Sequence, residues 1–304
     1  MVLGFHADRS HGDRHRHLIA RAMPADRAAE SGSRCRLAPW QIAKNRARES
    51  MGEKPVVNES CVFVGPTRVP KKAYPRIDFF PPAALGSVYR AFEKGYRRIG
   101  IIDGFFGNTP SVWHKEILFV ISKGAEVVGA ASTGALRAAE LAPYGMRGIG
   151  NIFRLYRRNA IADDDEVCVT HAIAELDFMP LAEPMISIRY TLRDLRHRGI
   201  ISRAEETAIA TDLKAAHFSE RTLDHIRAAV AAHMPPARAA TVADSYMTFR
   251  RDAKGDDGKR LLEWLSAPRR AEPAPDWTFP RTVHWVHQFE DRLHDVPGLG
   301  EKPA

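Results

Sequence analysis

From Ser60 onward, short apolar runs alternate with stretches of helical period, the signature of βαβ units. Residues 61–64 read as a buried first strand that ends in the turn Gly65-Pro66-Thr67. The spacing predicts a helix over 82–94, with Leu85, Val88, Tyr89 and Phe92 on one face and Gly95 as its stop. Residues 98–102 predict a second strand, ended by Asp103-Gly104. Thr109 and Pro110 then read as the cap and first residue of a helix whose core stripe is Val112, Trp113, Ile117, Val120 and Ile121, closed by Gly124. Residues 125–131 predict a third strand, and Ser132 caps a helix running to Leu141. Strict alternation of this kind favours a parallel sheet with helices on both faces, a Rossmann-like three-layer α/β fold. Ligands of such sheets gather at the carboxyl ends of the strands, so residues 65–67, 103–106 and 132–133 are expected to meet there.

The C-terminal part is different in kind. Ser202 to Glu205 is a capping box, Ser219 is expected to cap a second helix running to about Ala232, Pro235-Pro236 opens a third, and Asp256 precedes a fourth running through Trp264. These predict a small helical bundle. The expected organisation is a tail over 1–52, an α/β core over 53–180, a helical subdomain over 181–267, and a Pro-rich strap with a last helix over 268–304.

An apolar fraction of 44% in 304 residues is ample for a core and excludes wholesale disorder. No stretch approaches the roughly 20 consecutive apolar residues of a membrane helix, and the first thirty residues lack an apolar signal segment. A cytoplasmic chain without a membrane partner is expected. The formal charge of +8 is unevenly placed, since residues 1–54 hold 11 Lys or Arg against 6 Asp or Glu. That segment, with His6, His11, His15 and His17, lacks periodicity and aromatic interleaving, so it reads as a disordered, dispensable tail and not as a nucleic-acid arm, with Met51 as the start of the globular part. Cys35, Cys61 and Cys168 are odd in number and far apart, which argues against a disulfide framework and a cysteine-based zinc site. Neither a metal nor a cofactor is expected.

Candidate chemistry clusters between residues 100 and 171. Gly129-Ala-Ala-Ser-Thr-Gly134 has the glycine spacing of a phosphate loop, but Ala135-Leu136 replace the residues that reach phosphate and metal, so independent ATP binding is not expected. What remains is Ser132, placed where a strand turns into a helix. That placement fits either a plain N-cap or a nucleophile elbow whose hydroxyl is exposed beside helix N-terminal amides. His114, Lys115 and Glu116 fall in the first turns of a helix whose N-terminus favours anions. Asp163-Asp-Asp-Glu166, followed by His171, reads as the acidic start of a helix more readily than as a cation site.

Ile101 to Phe106, Ser111 to Leu118, Gly129 to Leu141, Tyr144-Gly-Met146 and Asp163 to Val167 with His171, taken in order, resemble the core of the TfuA-like family. The resemblance runs over roughly residues 98–215. It implies a partner of YcaO-type enzymes, which use ATP to activate a peptide amide, in the exchange of amide oxygen for sulfur. The family is thought either to stimulate the YcaO enzyme as a docked subunit or to release sulfide from a thiocarboxylated, ubiquitin-like sulfur carrier protein. Sulfide release is acyl transfer to water, which calls for a nucleophile, a proton shuttle and an oxyanion hole. On that reading Ser132 supplies the nucleophile and the amides of Thr133 and Gly134 the oxyanion hole. His114 or His171 shuttles the proton, Asp103 orients it, and Lys115 and Arg137 hold an anion, with Glu116, Asp164 and Asp165 at the binding rim. Ser132, Asp103, one of the histidines and one of Lys115 and Arg137 are therefore expected to line one pocket. Burial of Ser132 beneath the helices would favour docking over catalysis.

Overall fold

The computed structural model describes residues 58–107, 109–268 and 275–291. The tail expected over 1–52 lies outside them. Five parallel strands form one sheet in the order β2-β1-β3-β4-β5: β1 Ser60–Phe63, β2 Ile77–Phe80, β3 Arg98–Ile101, β4 Glu126–Gly129 and β5 Arg147–Gly148. The alternation expected from the sequence is thus present as an α/β fold, with two strands added. β2 is hidden in sequence because Ile77-Asp78-Phe79-Phe80 runs straight into Pro81-Pro82, and β5 is only two residues long.

Strand periodicity sorts the core into two faces. On one face Cys61, Phe63, Ile99, Ile101 and Val127 pack against helices that follow directly in sequence, α1 Ser87–Glu93 and α2 His114–Ser122, and against α3 Thr133–Leu141. On the other face lie Val62, Val64, Ile102 and Val128. The connection between β1 and β2 contains only a short 3-10 turn at Lys71–Ala73, so no local helix covers this second face. A helix from far downstream, Ala253–Ser266, fills it with Leu261, Leu262 and Leu265. It approaches so closely that a Cβ on Gly100 would lie 2.8 Å from Leu265 and 2.9 Å from Leu261.

The remaining helices are α4 Gly150–Arg157, α5 Met185–His197, α6 Arg203–Ala215, α7 Leu223–Ala232 and α8 Pro236–Thr248, with Ala253–Ser266 as α9 and a short α10, Val283–Trp285, in the strap. α5 to α8 share a separate core built on Ile188, Leu192, Leu213, Ile226, Val230 and Val242. Ser202 and Glu205 form the expected capping box on α6, and Pro236 opens α8 at its first turn. Two local expectations are corrected. Thr222, not Ser219, caps α7, because Ser219 is held in a 3-10 turn at Phe218–Glu220. The fourth bundle helix is α9, capped by Asp252, and it belongs to the sheet. In the strap, Phe279, Trp285 and Phe289 stack against Phe119 and Tyr89 of the first face.

Buried charges fasten the helix ends. Arg98 donates to the carbonyls of Trp264, Leu265 and Ala267 at the end of α9, and Asp257 accepts from the amides of Asn151 and Ile152 at the start of α4. Each charge has the sign that the exposed backbone dipole favours at that end.

Candidate functional site

β4 leads into α3 through a turn that only small residues permit. A Cβ on Gly134 would lie 1.8 Å from the Ile101 carbonyl oxygen, and one on Gly129 would lie 1.9 Å from the Gly134 oxygen. Ala131 takes the left-handed conformation at φ 65°, a strained state for a residue with a side chain. The turn delivers Ser132 to the carboxyl end of the sheet, with its amide on the carbonyls of Ile102 and Ala130. The Ser132 hydroxyl makes no cap hydrogen bond; it donates to the Val167 carbonyl at 3.4 Å, and the residue is 7% exposed. The Gly134 amide donates to the Ile102 carbonyl, so of the two amides expected to form an oxyanion hole only that of Thr133 remains.

Asp103 follows β3 and is 1% exposed. Its Oδ2 accepts from the amides of Gly65 and Thr67, each at 2.9 Å, and its Oδ1 accepts from Thr67 Oγ1 at 2.7 Å. The loops after β1 and β3 are thereby tied together where the strand order reverses, the usual ligand position in open parallel sheets. The ammonium of Lys254, in the first turn of α9, lies 3.5 Å from Asp103 Oδ1 and donates to the Val167 carbonyl at 3.0 Å. Ser132 and Lys254 therefore share one acceptor, and Lys254 joins it to Asp103. An ammonium has three donors; one is engaged by the Val167 carbonyl, and Asp103 is the ion-pair partner of the group. Thr67 and Lys254 form part of the wall of a cleft of about 350 Å³, together with Arg68, Glu183, Ser187 and Arg250.

The acidic run holds Val167 in place. Instead of a helix it forms a 3-10 turn, Asp164–Glu166. Glu166 takes a two-point hydrogen bond from Arg189, Asp165 takes bonds from Lys214 and Arg221, and Asp163 pairs with Lys214. Burial opposes ionisation of Asp165, but the bonds from Lys214 and Arg221 outweigh it and hold the carboxyl below the usual carboxylate range. Arg221, fully buried, also closes the end of α6 through the carbonyls of Leu213 and Ala216. The Asp164 side chain faces solvent. Among the described residues no group of His, Cys, Asp or Glu is arranged to hold a metal ion.

The remaining sequence-predicted residues are placed elsewhere. α2 starts at His114, four residues later than expected, because Glu116 accepts from the Trp113 amide and sets the helix start there. His114 and Arg137 consequently meet on Glu140, each at 2.8 Å, on an exposed surface. Lys115 donates to the Pro280 carbonyl and Thr282 of the strap. Glu116 is fully buried and also accepts from the amides of Gly86, Val88 and Tyr89, so one carboxyl caps two helices. Burial lifts it to about 7 against the pull of those four amides. His171 packs against Phe105 and Phe178, with Nδ1 on the Ala172 carbonyl. The partner of the Ser132 hydroxyl is thus a backbone carbonyl and not a histidine, and the cation that completes the site is Lys254, not Lys115 or Arg137.

Sequence reasoning passed over Lys254 altogether, and it placed Thr67 at the strand ends without giving it a role. A signal for the first was present: Lys254 and Asp257 share the stripe of α9 with Gly258, Leu261, Leu262 and Leu265, all buried. A lysine in register with a leucine stripe is rarely buried unless paired.

Residues 103–222 match the family model described as TfuA-like protein. No curated protein matches the chain. The matched span contains Asp103, Ser132, Val167 and Arg221; Thr67 and Lys254 lie outside it.

Proposed function

We propose, for a chain that belongs to the TfuA-like family through residues 103–222, a role as accessory protein in YcaO-dependent thioamidation that receives an anionic sulfur donor at the Lys254 cleft. The family is associated with YcaO-dependent thioamide biosynthesis. The observation that carries the finer reading is the buried Thr67, Asp103, Lys254 and Ser132 cluster at the carboxyl ends of β1, β3 and β4, behind a cleft flanked by Arg68 and Arg250.

A donor of fitting chemistry is the thiocarboxylated C-terminus of a carrier protein: extended, narrow and singly charged at its tip. The Lys254 ammonium meets the anion, and Asp103 holds that ammonium in place. Release of sulfide then balances as thiocarboxylate plus water giving carboxylate, hydrosulfide and a proton. With no histidine on its hydroxyl, Ser132 acts as a positioning group at the helix N-terminus. Removing it therefore has a small effect, whereas removing Lys254 takes away the charge that opposes the anion.

The second reading is a non-catalytic docking and activating subunit of the YcaO enzyme. The burial of Ser132 favours it, as do Ile173, Leu176, Met179 and Leu181, which are exposed together on the segment that follows Val167. An exposed apolar patch of this kind marks an interaction surface. The test is purified protein mixed with thiocarboxylated carrier in the absence of YcaO enzyme, with sulfide measured over time. Release above background that falls about 10- to 100-fold in Lys254→Met and only about twofold to fivefold in Ser132→Ala supports delivery. Sulfide at background with the wild-type chain leaves the docking role.

A further inference from the structure

A second cavity, of about 510 Å³, runs between α5 and α6, away from Lys254. Arg189, Arg193, Arg196, Arg203 and Lys214 line it, against a single acidic residue, Glu206. Three of the five cations are engaged within the chain: Arg189 by Glu166, Lys214 by Asp163, Asp165 and Glu166, and Arg196 by Glu206. Arg193 and Arg203 have no ion pair among the described residues and are exposed; Arg193 lies over the Tyr190 ring at 5.8 Å.

Neither placement is favourable for the helices alone. Arg189 and Arg193 are like charges at i,i+4, Arg193 and Arg196 are like charges at i,i+3, and Arg203 is a cation in the first turn of α6, where the helix dipole disfavours it. Charges held against local preference mark a place where something else compensates them.

The chain itself displays what compensates them. At one end of the groove, Arg189 and Lys214 are occupied by the carboxylates of Asp163, Asp165 and Glu166, presented on a short turn. The same stripe continues beyond that turn to Arg193 and Arg203. From Arg189 to Arg196 is about 10 Å along the helix axis, the reach of three or four extended residues. The walls between the cations are Leu192, Thr207, Ala210 and Thr211. That lining contains no aromatic ring, which single-stranded nucleic acid requires for stacking.

We propose that the α5/α6 groove binds an acidic peptide segment of a partner protein, which places its carboxylates on Arg193 and Arg203 in continuation of the chain's own acidic turn. The interaction involves no sulfur chemistry, so its outcome is independent of the function proposed above.

The test is fluorescence anisotropy of a fluorescein-labelled hexaglutamate peptide titrated with the full chain at about 50 mM NaCl, where the Debye length exceeds the groove's charge spacing. The double variant Arg193→Glu/Arg203→Glu is expected to weaken binding at least about tenfold. Arg157→Glu, at an exposed cation outside the groove, is expected to leave it within about twofold. A labelled oligothymidylate of equal charge is expected to bind at least about tenfold more weakly than the peptide. The basic residues of 1–54 are common to every variant, so differences between variants report the groove. If the double reversal fails to fold by thermal melting, Arg193→Ala/Arg203→Ala is read the same way, with a smaller expected loss. Unchanged hexaglutamate affinity in a folded double variant overturns the proposal, and so does oligothymidylate binding as tight as the peptide's, which makes the groove a general polyanion surface.

Discussion

The two faces of the sheet are covered in opposite ways. One face is packed by helices that lie beside their strands in sequence, so Val88, Ile117 and Val120 belong to the connections between the strands whose face they cover. The other face waits for α9, because the connection from β1 to β2 supplies no helix. That difference has a chemical consequence. The locally built face carries His114, Lys115 and Arg137, whose partners are Glu140 and the strap. At the face closed from a distance, the first turn of α9 brings Lys254 to Asp103 and to the carbonyl that Ser132 uses. A site assembled from segments far apart in sequence is also one in which packing and function are coupled.

Substitutions on the two faces separate their roles. The largest effect belongs to the turn that both faces share. In Gly134→Ala the new methyl would meet the Ile101 carbonyl oxygen, a backbone atom that cannot give way, so a loss of about 4 kcal/mol or more is expected, read as failure to show a cooperative melt. Next come Leu261→Ala on α9 and Ile117→Ala on α2, both fully buried and each expected to cost about 3 kcal/mol in denaturant unfolding. They should nevertheless differ in function. At a temperature where both remain folded, Leu261→Ala is expected to lower support of thioamidation because it loosens the helix that carries Lys254, while Ile117→Ala leaves that support near wild type. Equal losses in the two variants would remove the distinction between the faces.

Glu116→Gln gives a smaller, pH-dependent effect. The carboxyl lies at about 7 in the folded chain against about 4.3 when unfolded, so the native state keeps its proton where the unfolded state releases it. The stability associated with this group is complete below about pH 4.3 and is lost as pH rises toward 7, by up to about 3 kcal/mol. Gln cannot titrate. The stability difference between wild type and Glu116→Gln should therefore shift across pH 4 to 8 in urea melts, and a difference independent of pH would contradict the cause assigned to the shift. His114→Ala is the smallest effect: it breaks one exposed pair with Glu140 and is expected to change stability by less than about 0.5 kcal/mol, with sulfide release unchanged.

What the sequence made legible follows the same division. The alternation of β1, β3 and β4 with α1 to α3 is a matter of neighbours, and periodicity reads neighbours well. Asp103 and Ser132 were recognisable as strand-end residues for that reason. The role of Glu116 was not, since its four amide donors include three at the start of α1, from Gly86, Val88 and Tyr89, nearly thirty residues away. The acidic run was read as a helix start, but its partners Arg189, Lys214 and Arg221 come from the helical subdomain, and no local pattern announces them. Lys254 was the instructive omission. It stands in the buried stripe of α9, where a charged residue needs a partner, and asking what that partner is would have led to the carboxylate at the end of β3.

In the proposed function, α9 completes an anion site at the sheet's carboxyl end by placing Lys254 against Asp103. The most direct measurement of that site is the affinity of thiocarboxylated carrier protein for the wild-type chain, for Lys254→Met and for His114→Ala, each shown to be folded by its melting transition. Binding at least about tenfold weaker is expected for Lys254→Met and unchanged binding for His114→Ala. Equal affinity for all three, or a loss confined to His114→Ala, would contradict this role of Lys254.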